Sequence, residues 1–87
     1  KGAINSLVYS LAREIAPIRI NALLPGAIET PMTANLDEKY INEMTRDTPL
    51  GWGKPEDVVN YAEFLFSKKS KWITGQAICI DGGRNTK

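Results

Sequence analysis

Apolar side chains open the chain at helical spacing. Ile4, Leu7, Val8, Leu11, Ala12 and Ile15 recur every three or four positions and share one face, with Asn5, Ser6, Ser10, Arg13 and Glu14 largely opposite. The pattern predicts an amphipathic helix over residues 2–16. Pro17 has no amide hydrogen to donate and disfavours helical geometry at Ala16, so the helix is expected to stop there. From Ile18 to Leu24 the chain first alternates and then turns wholly apolar, as a parallel strand covered on both faces does. Pro25-Gly26 ends this strand, and a polar loop runs on through Ala27 to Thr33.

A second helix is expected from about Asp37 to Arg46, with Leu36, Tyr40, Ile41 and Met44 as its apolar side. The stretch from Thr48 to Gly53 is rich in turn formers. Pro55 followed by Glu56 and Asp57 reads as a helix start, because proline suits the first helical position and acids suit the positive helix end. Val58, Ala62, Leu65 and Phe66 supply its buried face, and Lys68, Lys69 and Lys71 follow where positive charge is favoured. A last strand is expected over 76–80, closed by Asp81-Gly82-Gly83.

Two apolar strands joined by a long helical crossover imply parallel neighbours in an α/β sheet. Two strands make a poor sheet, however, and the first would leave a long hydrophobic edge unpaired. The remaining strands are therefore expected from elsewhere, and the abrupt start at Lys1-Gly2-Ala3 reads as an interior cut. At 87 residues the chain can bury only a modest core by itself.

Composition narrows the function. A formal net charge of +1 gives no reason to expect nucleic acid or an anionic membrane as a partner. No apolar run approaches the ~20 residues that span a bilayer. With one cysteine and no histidine, a disulfide framework and a zinc site are both disfavoured. Cys79 lies in the run Ala77-Ile78-Cys79-Ile80 and reads as a small buried hydrophobe. The absence of paired cysteines fits a reducing, cytoplasmic setting.

In open α/β sheets ligands bind beyond the carboxyl ends of the strands, and Pro25-Gly26 holds that place here. Gly26 permits close approach of backbone to a ligand, the Thr30 hydroxyl can donate or accept, and amides near Ala27 and Ile28 could hold a carboxamide or phosphate. On these residues alone a plain strand-to-loop turn is the simpler account. Lys1 reads as a solvated charge by spacing alone, Arg19, Asn21 and Asp81 as structural groups, and Trp52, Tyr40 and Met44 as packing or as the wall of an apolar pocket.

Taken together the motifs resemble one family. Lys1-Gly2-Ala3 before a helix containing Leu11-Ala12-Arg13-Glu14 is similar to the segment of short-chain dehydrogenases/reductases that begins at the lysine of their Tyr-x-x-x-Lys motif. Ile18-Arg19-Ile20-Asn21 resembles their Arg-Val-Asn strand, and Pro25-Gly26-Ala27-Ile28-Glu29-Thr30-Pro31-Met32 their Pro-Gly-x-x-x-Thr loop. Gly53-Lys54-Pro55-Glu56-Asp57-Val58 and Ile73-Thr74-Gly75-Gln76, ending in Asp81-Gly82-Gly83, resemble the next two signatures. These pieces stand in the family's order and cover nearly the whole chain.

The resemblance implies a Rossmann-type doubly wound parallel sheet, of which residues 1–87 supply the last two strands and their helices as the C-terminal portion of a single oxidoreductase domain. It implies hydride transfer between NAD or NADP and a carbonyl or alcohol carbon, on a 3-oxoacyl thioester, a sugar or another small ketone or alcohol. Lys1 would be the catalytic lysine, holding the nicotinamide ribose and lowering the pKa of a tyrosine four residues earlier. Pro25, Gly26 and Ile28 would border the nicotinamide, Ile28 through its main chain, with the Thr30 hydroxyl on the carboxamide or the adjoining phosphate. Residues 31–52 would form a substrate lid. The first helix, and the last helix with the last strand, resemble surfaces that make homodimers and homotetramers. Two departures stand out: Pro49-Leu50-Gly51-Trp52-Gly53 lacks the arginine common there, and the tyrosine, its partner serine and the glycine-rich loop fall upstream of Lys1. The alternative is a non-catalytic relative that uses the scaffold to bind nucleotide or to assemble, and the 87-residue piece by itself is expected to be inactive.

Overall fold

The computed structural model describes residues 2–84. Helix α1 spans Gly2–Glu14, strand β1 Ala22–Pro25, helix α2 Glu38–Asp47, helix α3 Pro55–Phe66 and strand β2 Ala77–Ile80. Short 3₁₀ turns at Pro31–Asn35 and Lys68–Ser70 lie between them. The strands pair in parallel, with Ala22 opposite Ala77 and Pro25 opposite Ile80.

Helix α3 starts as expected, with Pro55 in its first turn. Asp57 completes the start: its carboxylate accepts from the Lys54 amide at 2.7 Å while its own amide donates to the Lys54 carbonyl at 2.8 Å. This reciprocal pair satisfies amides that a helix start leaves without partners. Lys54 is a poor capping residue by type, so the carboxylate three positions on does the capping.

Several boundaries differ from expectation. Helix α1 ends at Glu14, two residues early, and Ile15 to Ile18 form a closing turn in which the Ile18 amide donates to the Ile15 carbonyl at 3.0 Å. Strand β1 begins at Ala22, not at Ile18, and Ile18 is 67% exposed. The preceding residues are tied to the last connection by side chains. The Ile20 amide donates to Thr74 Oγ1 at 3.0 Å, the Gln76 amide donates to Asn21 Oδ1 at 3.0 Å, and the Asn21 amide group donates to the Ile73 carbonyl at 3.2 Å. The side chains of Thr74 and Asn21 thus do what ladder bonds would do, and the run is held in place without being strand.

Arg19 is the fastening of this end of the molecule. Its guanidinium donates to the carbonyls of Ser70, Leu65 and Ile73 at 3.0, 3.0 and 3.3 Å and to Ser70 Oγ at 3.2 Å. A planar fork of donors suits a site where several carbonyls converge. Here they are carbonyls at the end of α3, at the end of the turn after it and in the loop beyond, each also accepting a second hydrogen bond.

The core is small. Val8, Ala12 and Ala27 are its buried apolar members, and Thr48 and Ser70 are buried polar ones. No residue of α3 is fully buried, and Phe66, expected on its inner face, is 90% exposed. Cys79, expected to be buried, is half-buried in β2. Both corrections have one cause: each sits on a surface that a two-stranded sheet leaves uncovered. The dimensions agree. The radius of gyration is 15.1 Å, against about 12 Å for a compact domain of this length.

Candidate functional site

Strand β1 delivers its last residues to a knot of three segments. Pro25 is the last strand residue and is exposed. The amides of Ala22 and Gly26 donate to Gln76 and Ile80 at 2.8 and 3.0 Å, so the intervening odd positions face away from β2. The donor that proline lacks is therefore missing on the open side, where the ladder loses nothing.

Gly26 is required by its neighbour. A Cβ there would stand 2.6 Å from Asp81 Cβ and 2.7 Å from Asp81 Cα. Close approach of backbone to a ligand is expected at this glycine; the approach that the fold shows is that of the residue after β2. Asp81 holds its own turn, accepting from the Gly83 amide at 3.1 Å.

Beyond Gly26 the loop is stitched to the segment before α3. Gly53 donates to the Ala27 carbonyl at 2.9 Å, and its carbonyl accepts from the Glu29 amide at 2.8 Å, an isolated parallel bridge centred on Ile28. In such a bridge the central residue turns its own N–H and C=O to the other side. The main-chain donor and acceptor of Ile28 thus point away from Gly53, and no described residue engages either. Ala27 is buried and its carbonyl is taken, so of the two candidate amide positions Ile28 is the open one.

Thr30 is exposed and follows directly. Its backbone is locked by Thr33, whose hydroxyl accepts from the Thr30 amide at 3.1 Å and donates to the Thr30 carbonyl at 2.7 Å. The Thr30 hydroxyl is left to face solvent beside Ile28. Lys1 lies outside the described residues. Pro25, Gly26, Ile28 and Thr30 come together on one loop, which carries an outward N–H, an outward C=O and a hydroxyl within three residues.

A cavity of about 390 Å³ opens beside this knot, with Ile28, Leu50, Trp52 and Ile80 among its apolar walls and Asp57 and Asp81 at its polar margin. Another of about the same volume lies under α3 along the open side of β1, between Leu23, Leu65 and Phe66. It is remote from the loop and belongs to the uncovered sheet edge.

Sequence reasoning missed Gly53 and the tie between Trp52 and Thr45. The first has a weak signal, a glycine just before a helix start. The second has none, since the two residues stand seven apart across a helix end. Among the described residues no cluster could hold a metal ion, and no helix is long and apolar enough to cross a membrane.

A family model described as Enoyl-(Acyl carrier protein) reductase matches residues 1–85. A 3-oxoacyl-[acyl-carrier-protein] reductase of Thermotoga maritima is 45% identical over 86 residues, covering 95% of this chain and 35% of that protein. The crystal structure of a 3-oxoacyl-[acyl-carrier protein] reductase from Brucella melitensis superposes with a TM-score of 0.86 at 38% identity, covering 94% of this chain and 32% of that one. A candidate 2-deoxy-d-gluconate 3-dehydrogenase from Agrobacterium tumefaciens, solved with bound NADP, gives 0.88 at 33% identity over 99% of this chain and 37% of its own. The chain thus spans about a third of the length of the curated relatives it matches.

Proposed function

Because the chain belongs to the short-chain dehydrogenase/reductase family and carries part of a Rossmann-type α/β fold, we propose that residues 1–87 are the C-terminal portion of one oxidoreductase domain. The whole protein transfers a hydride between NAD or NADP and a carbonyl or alcohol carbon of a small substrate, a 3-oxoacyl thioester in the first instance. The observation that carries this reading is the outward main chain of Ile28. A carboxamide presents one acceptor and one donor side by side, and an N–H with a C=O on one residue matches it. The exposed Thr30 side chain adds a hydroxyl as a third polar contact for the carboxamide or a phosphate.

When bound, the nicotinamide ring supplies or accepts the hydride. The residues of this chain would hold and orient it: Ile28 would bind the carboxamide through its main chain, Pro25 and Gly26 would set the loop at the strand end, and Thr30 would add a hydroxyl contact. Lys1, by its place in the family motif, binds the ribose and favours the ionised form of a nearby tyrosine, since a close cation stabilises a phenolate. The oligomer is a homodimer or homotetramer, and the setting is cytoplasmic.

The test is reduction of acetoacetyl thioester by the full-length protein with NADH and NADPH, followed optically. Thr30→Val should raise the KM for cofactor about three- to tenfold, as loss of one hydrogen bond to a ligand does, with an unchanged melting temperature. Lys1→Met should lower kcat at least a hundredfold. A full-length protein inert on a broad panel of carbonyls and alcohols with both cofactors would instead favour a nucleotide-binding scaffold.

A further inference from the structure

The segment from Thr30 to Trp52 leaves the nicotinamide loop and returns to the same point, because Ala27 and Glu29 are bonded to Gly53. It carries α2, in which no residue is buried and only Ile41, Met44 and Asp47 are half-buried, so core packing holds this helix weakly. Its return limb is fixed instead. Thr48 is buried and its hydroxyl donates to the Met44 carbonyl at 2.7 Å, while the Leu50 amide donates to the Gly82 carbonyl at 2.9 Å. A further side-chain contact reaches from the limb back to the helix: the indole Nε1–H of half-buried Trp52 donates to Thr45 Oγ1 at 2.8 Å. The Thr45 hydroxyl in turn donates to the Ile41 carbonyl at 2.8 Å, one turn further into α2.

We infer that Trp52 is a positioning residue for the substrate. Its indole latches α2 to the residue next to Gly53, so that the helix is set relative to Ile28 through the hydrogen bonds of Thr45 to Ile41 and Trp52, the Trp52–Gly53 peptide, and the hydrogen bonds of Gly53 to the loop around Ile28. A helix without buried residues has its position decided by such ties, and α2 lies at the carboxyl end of β1, where a substrate must meet the nicotinamide. Trp52 thereby controls how well the substrate is held, without touching the cofactor. This rests on reading the Ile28 loop as the nicotinamide site.

The test uses the full-length protein with Trp52→Phe, which keeps the ring and removes the donor, Thr45→Val, which keeps the shape and removes the hydroxyl, and Thr45→Ser, which restores it. With acetoacetyl thioester as probe, Trp52→Phe and Thr45→Val should raise KM about fivefold, with kcat and the Kd for NAD(P)H within twofold of the parent. Thr45→Ser should match the parent. Hydrogen exchange provides a readout free of turnover: amides 41–48 should exchange at least tenfold faster in the first two variants, and those of β1 at the parent rate. A parent protein without turnover defeats the hydride-transfer reading but leaves this exchange measurement standing. Unchanged exchange in α2, or a Thr45→Ser variant as impaired as Thr45→Val, overturns the latch.

Discussion

Gly26 and Gly53 lie on either side of the same loop, yet a methyl group added to each meets different resistance. At Gly26 the obstacle is Asp81 at its Cα and Cβ, atoms that move only with the backbone of β2. Gly26→Ala should therefore cost about 1–3 kcal/mol in the full-length protein, as overpacking against a fixed neighbour does, read as a lowered denaturant midpoint at constant slope. At Gly53 the obstacle is Ile28 Cδ1 at 3.0 Å, the far end of a flexible side chain. Gly53→Ala should cost under about 1 kcal/mol and leave NAD(P)H binding within about twofold, because the Ile28 side chain can give way while its main chain stays; calorimetric titration would show this. That a loop leaves the end of β1 at Pro25-Gly26 was legible once motif and order were read together. The reason for Gly26 was not, because nothing in Pro25-Gly26 announces that Asp81, more than fifty positions on, will stand against it.

At the scale of elements, local chemistry was readable and tertiary support was not. The start of α3 follows from Pro55 and Asp57, both local. The start of β1 depends on Thr74 and Asn21 side chains taking ladder bonds, which no alternation of Ile18 and Ile20 could reveal. Arg19 makes the same point with energetic weight, since one side chain gathers carbonyls from α3 and from the turn and loop that follow it. Arg19→Met should destabilise the full-length protein by about 1.5–3 kcal/mol, the range for losing hydrogen bonds to a charged group. Arg19→Lys should recover only part of this, because an ammonium cannot span the same carbonyls. Thermal melts of both variants against the parent would decide.

For the molecule as a whole, the deficit seen in the strand count is physical. An accessible surface of 6555 Å² compares with roughly 5,100 Å² for a compact monomer of this mass. The excess lies where expected, along the open side of β1 and on exposed apolar residues such as Phe66 and Trp72. With Val8, Ala12 and Ala27 as its buried apolar residues, the 87-residue chain alone has too little core to offset its ordering entropy. On its own it should give no cooperative melt by circular dichroism and should self-associate in gel filtration; a sharp transition of a monomer would contradict this.

The bridge between Ile28 and Gly53 has one more consequence. It closes the base of the Thr30–Trp52 excursion like a clasp, so strain or length changes beyond the clasp need not reach the loop around Ile28. Under the proposed function, substrate preference can then drift with the excursion while the proposed nicotinamide loop stays in register. Such a clasp makes the segment a cassette, exchangeable between relatives as a unit, and suits a scaffold on which one hydride chemistry is served to many substrates.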